Sequence, residues 1–247
     1  MRILLCTDGS AHGQAALRFG ALLARASSEA ATLLGVVEHA ADRSEIERAL
    51  EEGKKWLVDA PAPRTKVRIG HAAEEILDEA TPEEYDLVVV GARGRRGITR
   101  FLMGSTSERI ARLAAVSVLI VRGDHPQIRH ILACTGGRKA GLDVVAFGGR
   151  VAKLTEAEVT VLHVMSQLVA STMLPEAGVL QAMPQTPAPP SPNELQLEDL
   201  EAPAEQLIAH ETSEGLHLQQ ALAILAELGV RGQALVRHGL IVEEISD

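Results

Sequence analysis

The 247-residue chain predicts an α/β protein with a parallel sheet, laid down twice. Three observations lead there. Short apolar runs alternate with longer stretches of helical periodicity, the pattern of strands joined by helical crossovers. Several segments recur in the same order further along the chain, the mark of an internal duplication. One strand-to-helix junction is rich in glycines, hydroxyls and arginines, as a phosphate-facing loop would be.

The elements of the first copy follow in order. Ile3–Cys6 is a strand, and Ala11–Arg25 carries apolar residues at spacings of three and four, as an amphipathic helix does. Leu33–Val37 is a second strand and Arg43–Val58 a second helix. Lys66–Ile69 is a short strand, followed by a helix at Ala72–Ala80 that stops near Pro82. Leu87–Val90 is apolar throughout, as a strand buried on both faces is. Ser105–Ala114 is a helix, and Val116–Val121 a last, β-branched strand.

The repeat is read from matched segments. Ile3-Leu4-Leu5-Cys6-Thr7 returns 128 positions later as Ile131-Leu132-Ala133-Cys134-Thr135. At the same spacing Thr32-Leu33-Leu34-Gly35-Val36-Val37 returns as Thr160-Val161-Leu162-His163-Val164-Met165. Val67-Arg68-Ile69-Gly70 returns as Val236-Arg237-His238-Gly239, and Glu74-Glu75-Ile76 as Glu243-Glu244-Ile245, now 169 positions on. The expected domains are therefore 1–123, complete, and 124–247, a copy cut short at Asp247 and carrying about 41 extra residues. Those lie within 166–215, which holds seven of the eleven prolines, eight acidic residues and no Lys, Arg or aromatic. Such a composition predicts a long insertion without a dense core, with a short helix around Glu194–Ala209 as an open alternative. A helix resumes at Leu216–Leu228.

Composition removes several functions. Aromatics are 2% of residues, which argues against a base-stacking platform, and a net charge of −9 argues against a duplex-binding surface. Two cysteines are too few for a disulfide scaffold or a structural zinc site. Cys6 and Cys134 sit at matched strand positions and read as small buried apolar residues. No apolar stretch is long enough to span a membrane, and the first residues turn polar too early for a signal peptide. A cytoplasmic protein with no nucleic-acid or membrane partner is expected. Nine histidines, His12 and His71 among them, form no ligand cluster, and no catalytic triad or carboxylate pair can be placed.

The informative segment runs from Gly91 to Ser107. Gly91, Gly94, Gly97 and Gly104 allow close approach of backbone N–H groups, and Ser105, Thr106 and Ser107 add hydroxyls at a helix N-terminus. Seven arginines against one acid, Glu108, make residues 91–123 locally basic. No Walker lysine follows, and the dinucleotide fingerprint is incomplete. An ordinary strand-to-helix connection capped by Ser105 is the plainer alternative, as a turn is for Asp8-Gly9-Ser10.

The pattern Gly91-x2-Gly94-x9-Gly104-Ser105 resembles the ATP-binding signature of the universal stress protein family. Leu4-Leu5-Cys6-Thr7-Asp8-Gly9-Ser10 resembles that family's opening strand and acidic turn, and Leu34-Gly35-Val36-Val37 its second strand. The resemblance covers residues 1–123 and extends to 127–165 and 216–247 as a shortened copy. It implies a Rossmann-like five-stranded parallel sheet of order 3-2-1-4-5 between helices. It implies ATP as the ligand, with or without Mg²⁺. Thr7 and Val36 would then flank adenine, and Asp8 would contact ribose or a metal-bound phosphate. Gly91, Gly94, Gly104, Ser105 and Thr106 would surround the phosphates with Ser107 nearby, and Gly97 with Arg93 or Arg95 would complete the loop. The second copy has Gly136 in place of the acid and no such loop, so one nucleotide per chain is expected. The expected role is a nucleotide-dependent stress sensor or regulator that binds without efficient turnover. A slow Mg-dependent ATPase and an interaction module with a structural nucleotide are the alternatives. The long apolar edge strand Val116–Val121 would be an aggregation risk if left unpaired, and the resemblance implies that it pairs with its like in a homodimer.

Overall fold

The computed structural model describes residues 1–92, 104–124, 127–165 and 203–246, which form two compact units, Met1–Gln127 and Ile128–Asp247. The first unit runs β1 (Ile3–Thr7), α1 (Ala11–Arg25), β2 (Thr32–Val37), a 3-10 turn at Ala40–Asp42, α2 (Arg43–Lys55) and β3 (Arg64–Ile69). It continues with α3 (Ala72–Glu79), β4 (Leu87–Gly91), α4 (Ser105–Leu113) and β5 (Ser117–Val121). All five strands are parallel, in the order β3-β2-β1-β4-β5.

The order explains the burial. β1 and β2 are buried along their whole length, which only a sheet covered on both faces permits. The flanking strand β3 carries Arg64, Lys66 and Arg68, charges that protect an edge from unwanted pairing. On one face Leu4, Cys6, Leu34, Val36, Val88 and Val90 pack with Ala73 and Ile76 of α3 and Ile110 of α4. On the other, Leu5 meets α1 at Gly20, and Leu33 meets Leu17 and Gly53 of α1 and α2. α1 begins where Ser10 accepts from Gly13 N at 3.1 Å, a serine cap. α2 ends three residues before the expected Val58. There Trp56 N and Leu57 N bond back to Gly53 and Lys54, tightening the last turn.

The second unit runs β6 (His130–Thr135), α5 (Lys139–Thr155), β7 (Glu158–Met165), α6 (Ala204–Ala209), α7 (Ser213–Glu227), β8 (Gly232–His238) and α8 (Ile241–Ser246). Its sheet is parallel, of order β6-β7-β8. The pairing register is informative. In β1–β2, Leu4 faces Thr32 and Thr7 faces Gly35; in β6–β7, Leu132 faces Thr160 and Thr135 faces His163. In β2–β3, Thr32 faces Arg64 and Val37 faces Ile69; in β7–β8, Thr160 faces Gln233 and Met165 faces His238.

Within residues 203–215 the alternative left open, a short helix in the range Glu194–Ala209, is present as α6 at the end of that range. Leu207 of α6 is completely buried against Met165 and Val236, and the Thr212 hydroxyl caps α7 by accepting from Gly215 N at 3.0 Å. Two apolar residues, Ala204 and Leu207, suffice for a single-turn helix to dock even where the wider composition is poor in core formers. The remainder of the proline-rich stretch lies outside the described residues.

Candidate functional site

A cleft opens in the first unit at the carboxyl ends of β1, β2 and β4, the position where open parallel sheets bind ligands. Its walls are Cys6, Thr7 and Asp8 from β1 and its turn, Gly13 of α1, Val36 of β2, Ala72 and Ile76 of α3, Val90 and Gly91 of β4, and Thr106 and Ser107 of α4. Six expected site residues are thus gathered: Thr7, Asp8, Val36, Gly91, Thr106 and Ser107. Gly104 and Ser105 stand at the start of α4 beside them. Arg93, Gly94, Arg95 and Gly97 lie outside the described residues.

The local chemistry of each is specific. The Thr7 hydroxyl accepts from Gly9 N at 3.1 Å and Asp8 Oδ1 from Ser10 N at 3.0 Å, so the acidic turn is held by its own side chains. Gly13 and Gly91 are required by proximity. A Cβ on Gly13 would fall 2.5 Å from Thr7 Oγ1, and one on Gly91 would fall 2.6 Å from the backbone oxygen of His12. These glycines let α1 press against the ends of β1 and β4.

At the opposite wall Gly104, not Ser105, is the N-cap of α4, and as a glycine it has no side chain with which to cap that helix. Gly104 N donates to Ala92 O at 2.8 Å and closes the base of the glycine loop. Ser107 differs from its neighbours: it is 3% exposed and its hydroxyl donates inward to Gly91 O at 2.6 Å. Ser105 is exposed and Thr106 half-buried, so the helix offers its first turn to the cleft with its N–H dipoles and the Thr106 hydroxyl.

The sequence reading missed Gly13, Ala72, Ile76 and Val90 as wall residues, and placed Cys6 only as buried. Gly13 carried a signal, since a glycine inside a helical pattern usually marks a close approach. Cys6 is 3% exposed and burial pushes its thiol well up, which makes it an inert apolar floor. A further residue fixes the wall formed by α3. Glu79, 6% exposed at the end of that helix, accepts from Lys66 and from Arg68 Nη2 at 2.6 Å on β3, and from the Tyr85 hydroxyl at 2.9 Å. Burial raises the Glu79 pKa, but the bonds from Lys66, Tyr85 and Arg68 outweigh it and hold the carboxyl below its ordinary range.

An open sheet of order β3-β2-β1-β4-β5, with a cleft at its strand ends between an acidic turn and the start of α4, defines an α/β domain of the Rossmann-like kind. The profile of the universal stress protein family matches residues 1–122. A universal stress protein of Thermus aquaticus is 32% identical over 137 residues, covering 49% of this chain and 97% of that one. The universal stress protein YxiE of Bacillus subtilis is 34% identical over 104 residues, covering 37% of this chain and 68% of that one. The chain belongs to the universal stress protein family. The crystal structure of a universal stress protein from Archaeoglobus fulgidus shares the fold, with a TM-score of 0.60 at 17% identity over 99% of this chain and 78% of that one. Among the described residues no helix is long and apolar enough to cross a membrane, and no group of three or more His, Cys, Asp or Glu could hold a metal ion.

Proposed function

We propose that the first unit binds ATP in this cleft and that the protein acts as a nucleotide-dependent stress sensor or regulator, binding without efficient turnover. The observation that carries the reading is the meeting of Thr7, Asp8 and Val36 with Gly91 and Thr106 around one opening. The fit is chemical. Val36, Ala72 and Ile76 offer an apolar wall for a purine, Asp8 a carboxylate for ribose hydroxyls or a phosphate-bound cation, and the first turn of α4 a partial positive charge for phosphate. Arg93, Gly94, Arg95 and Gly97 belong to the same site in this reading, as do Gly104 and Ser105. Binding, not chemistry, is what these groups suit: none is a general base beside a phosphate position.

In the same reading the chain is a tandem protein whose second unit, Ile128–Asp247, repeats the first three strands of the first unit. The equal registers of β1–β2 with β6–β7 and of β2–β3 with β7–β8 support this. Gly136 replaces the acid there, so the second unit takes no nucleotide. β5 is the last strand of its sheet and half-buried, which favours a homodimer through Val116–Val121. Titration calorimetry of the full chain with ATP, ADP and GTP tests the proposal. One site per chain with ATP preferred over GTP is expected; two sites, or no heat with any nucleotide, would overturn it.

A further inference from the structure

The second unit holds a buried polar cluster that the nucleotide reading leaves without a role. Thr135, at the carboxyl end of β6, lies between two imidazoles. His163 Nδ1 is 3.0 Å from the Thr135 carbonyl and His217 Nε2 is 2.6 Å from the Thr135 hydroxyl. All three residues are 6–7% exposed, and the two rings are 6.4 Å apart. A carbonyl only accepts, so His163 Nδ1 carries the proton and a neutral His163 has a bare Nε2. His217 sits in the first turns of α7, and a Cβ on Gly141 of α5 would overlap the Thr135 hydroxyl, so α5 closes that side of the cluster. The cluster therefore joins three elements: β6 through Thr135, β7 through His163 and α7 through His217.

We propose that this cluster is an acid-released latch. With the His217 imidazole neutral it ties α7 to the carboxyl ends of β6 and β7, and protonation of His217 sets α7 loose. In the latch the Thr135 hydroxyl donates to Nε2 of the neutral His217; a proton on that nitrogen makes it an obligatory donor, so the hydroxyl must accept and redirect its own proton inside a packed site. The charges acting on His217 are His163 from β7, which disfavours the imidazolium, and Glu214 on α7 itself, which favours it. The packed faces of the other elements are uncharged: Gly141 and Val145 of α5, Leu207 of α6, Ala234 and Val236 of β8. His238, the last residue of β8, shares the face of Val236 by strand alternation.

Burial first, and His163 second, hold the His217 pKa below its ordinary 6.5. A group whose folded pKa is depressed leaves stability intact above its unfolded value and removes it as pH falls through the folded one. Release therefore begins below pH 6.5. In the first unit the β1–β2 pair puts Gly35 beside Thr7, so the place taken by His163 in the second unit carries no imidazole there. Its buried carboxylate, Glu79, responds only below the ordinary glutamate value of 4.5.

Amide hydrogen exchange of the full chain, read by mass spectrometry and corrected for the intrinsic pH dependence of exchange, tests the latch. Between pH 7.5 and about 5.5, peptides from 203–227 should lose protection by about tenfold or more while α1 and α3 keep theirs. In His217→Gln, whose amide can still meet Thr135 without titrating, protection should be independent of pH over that range. Equal protection of wild-type α7 at both pH values, or an equal loss in H217Q, would overturn the proposal. If H217Q is unprotected already at pH 7.5, the imidazole resonances of the wild type decide. A His217 that titrates below 6.5 together with α7 opening supports the latch, and one that titrates at or above 6.5 with α7 still protected overturns it.

Discussion

The Ser107 hydroxyl donates to the backbone carbonyl of Gly91 across 2.6 Å, joining the first turn of α4 to the last residue of β4. The two residues bracket the glycine loop, and with Gly104 N on Ala92 O they hold its two ends together. Ser107→Ala removes the donor and leaves a half-buried carbonyl without it, a loss of about 1–2 kcal/mol. Trp56, the single tryptophan, lies in the first unit, so its fluorescence in a urea titration reports that unit alone. The midpoint should fall while the slope stays constant. An unchanged midpoint would mean that the loop ends are held without this bond.

Gly91→Ala probes the other side of the junction. The added Cβ would fall 2.6 Å from His12 O and 2.7 Å from His12 C, and backbone cannot swing aside as a side-chain tip can. Overpacking of this kind costs about 1–3 kcal/mol. The urea midpoint should drop accordingly, and a variant as stable as wild type would show that α1 has room to retreat.

The central layer of this fold was legible because its physics is local. Leu87–Val90 and Leu33–Val37 are unbroken apolar runs, and helix α1 announces itself by spacing, so each was placed to within one residue at both ends. Thr7, Asp8, Val36 and Thr106 were named through the resemblance to the universal stress protein family, and parallel topology is what brings them to one cleft although they lie far apart in the chain. Ala72 and Ile76 were not, because a small or branched apolar residue on a helix reads the same whether it faces a core or a cleft. Ser107 was grouped with its neighbouring hydroxyls, yet one residue of helical rotation separates a side chain facing the cleft from one turned into the strand. Glu79 was hidden among the acids of α3, since its partners Lys66 and Arg68 come from another strand and only pairing of β2 with β3 brings them close.

Glu79 gives the first unit an acid limit of its own. Its pKa is depressed in the fold, so its contribution is complete above the ordinary value of 4.5 and disappears as pH falls below it. Glu79→Gln keeps the shape but removes the charge that Lys66, Arg68 and Tyr85 address. Lys66 and Arg68 are each more than a third exposed, so solvent screens the pair and the loss should be about 2 kcal/mol at neutral pH. Trp56-monitored unfolding at pH 7 and near pH 3.5 should show the wild type converging on the variant in acid. A constant gap between them would place the effect in packing instead.

Nucleotide and Asp8 are linked through stability. A ligand that binds only the folded first unit raises its unfolding free energy by about 2.7 kcal/mol at a hundredfold excess over Kd. ATP should therefore raise the Trp56 urea midpoint. Exchange protection of α7 should stay as it is, because the cleft is built from the first unit alone. Asp8→Asn separates the two roles open to this residue. An asparagine oxygen still accepts from Ser10 N, the 3.0 Å bond that shapes the turn, so the apo midpoint should hardly move. The ATP-induced rise, however, should shrink by about 1–2 kcal/mol, because a charge-assisted bond to ribose or a phosphate-bound cation is gone. An undiminished rise in D8N would reduce Asp8 to a turn residue, and adding or withholding Mg²⁺ in the same titration would tell which of the two ligands the carboxylate serves.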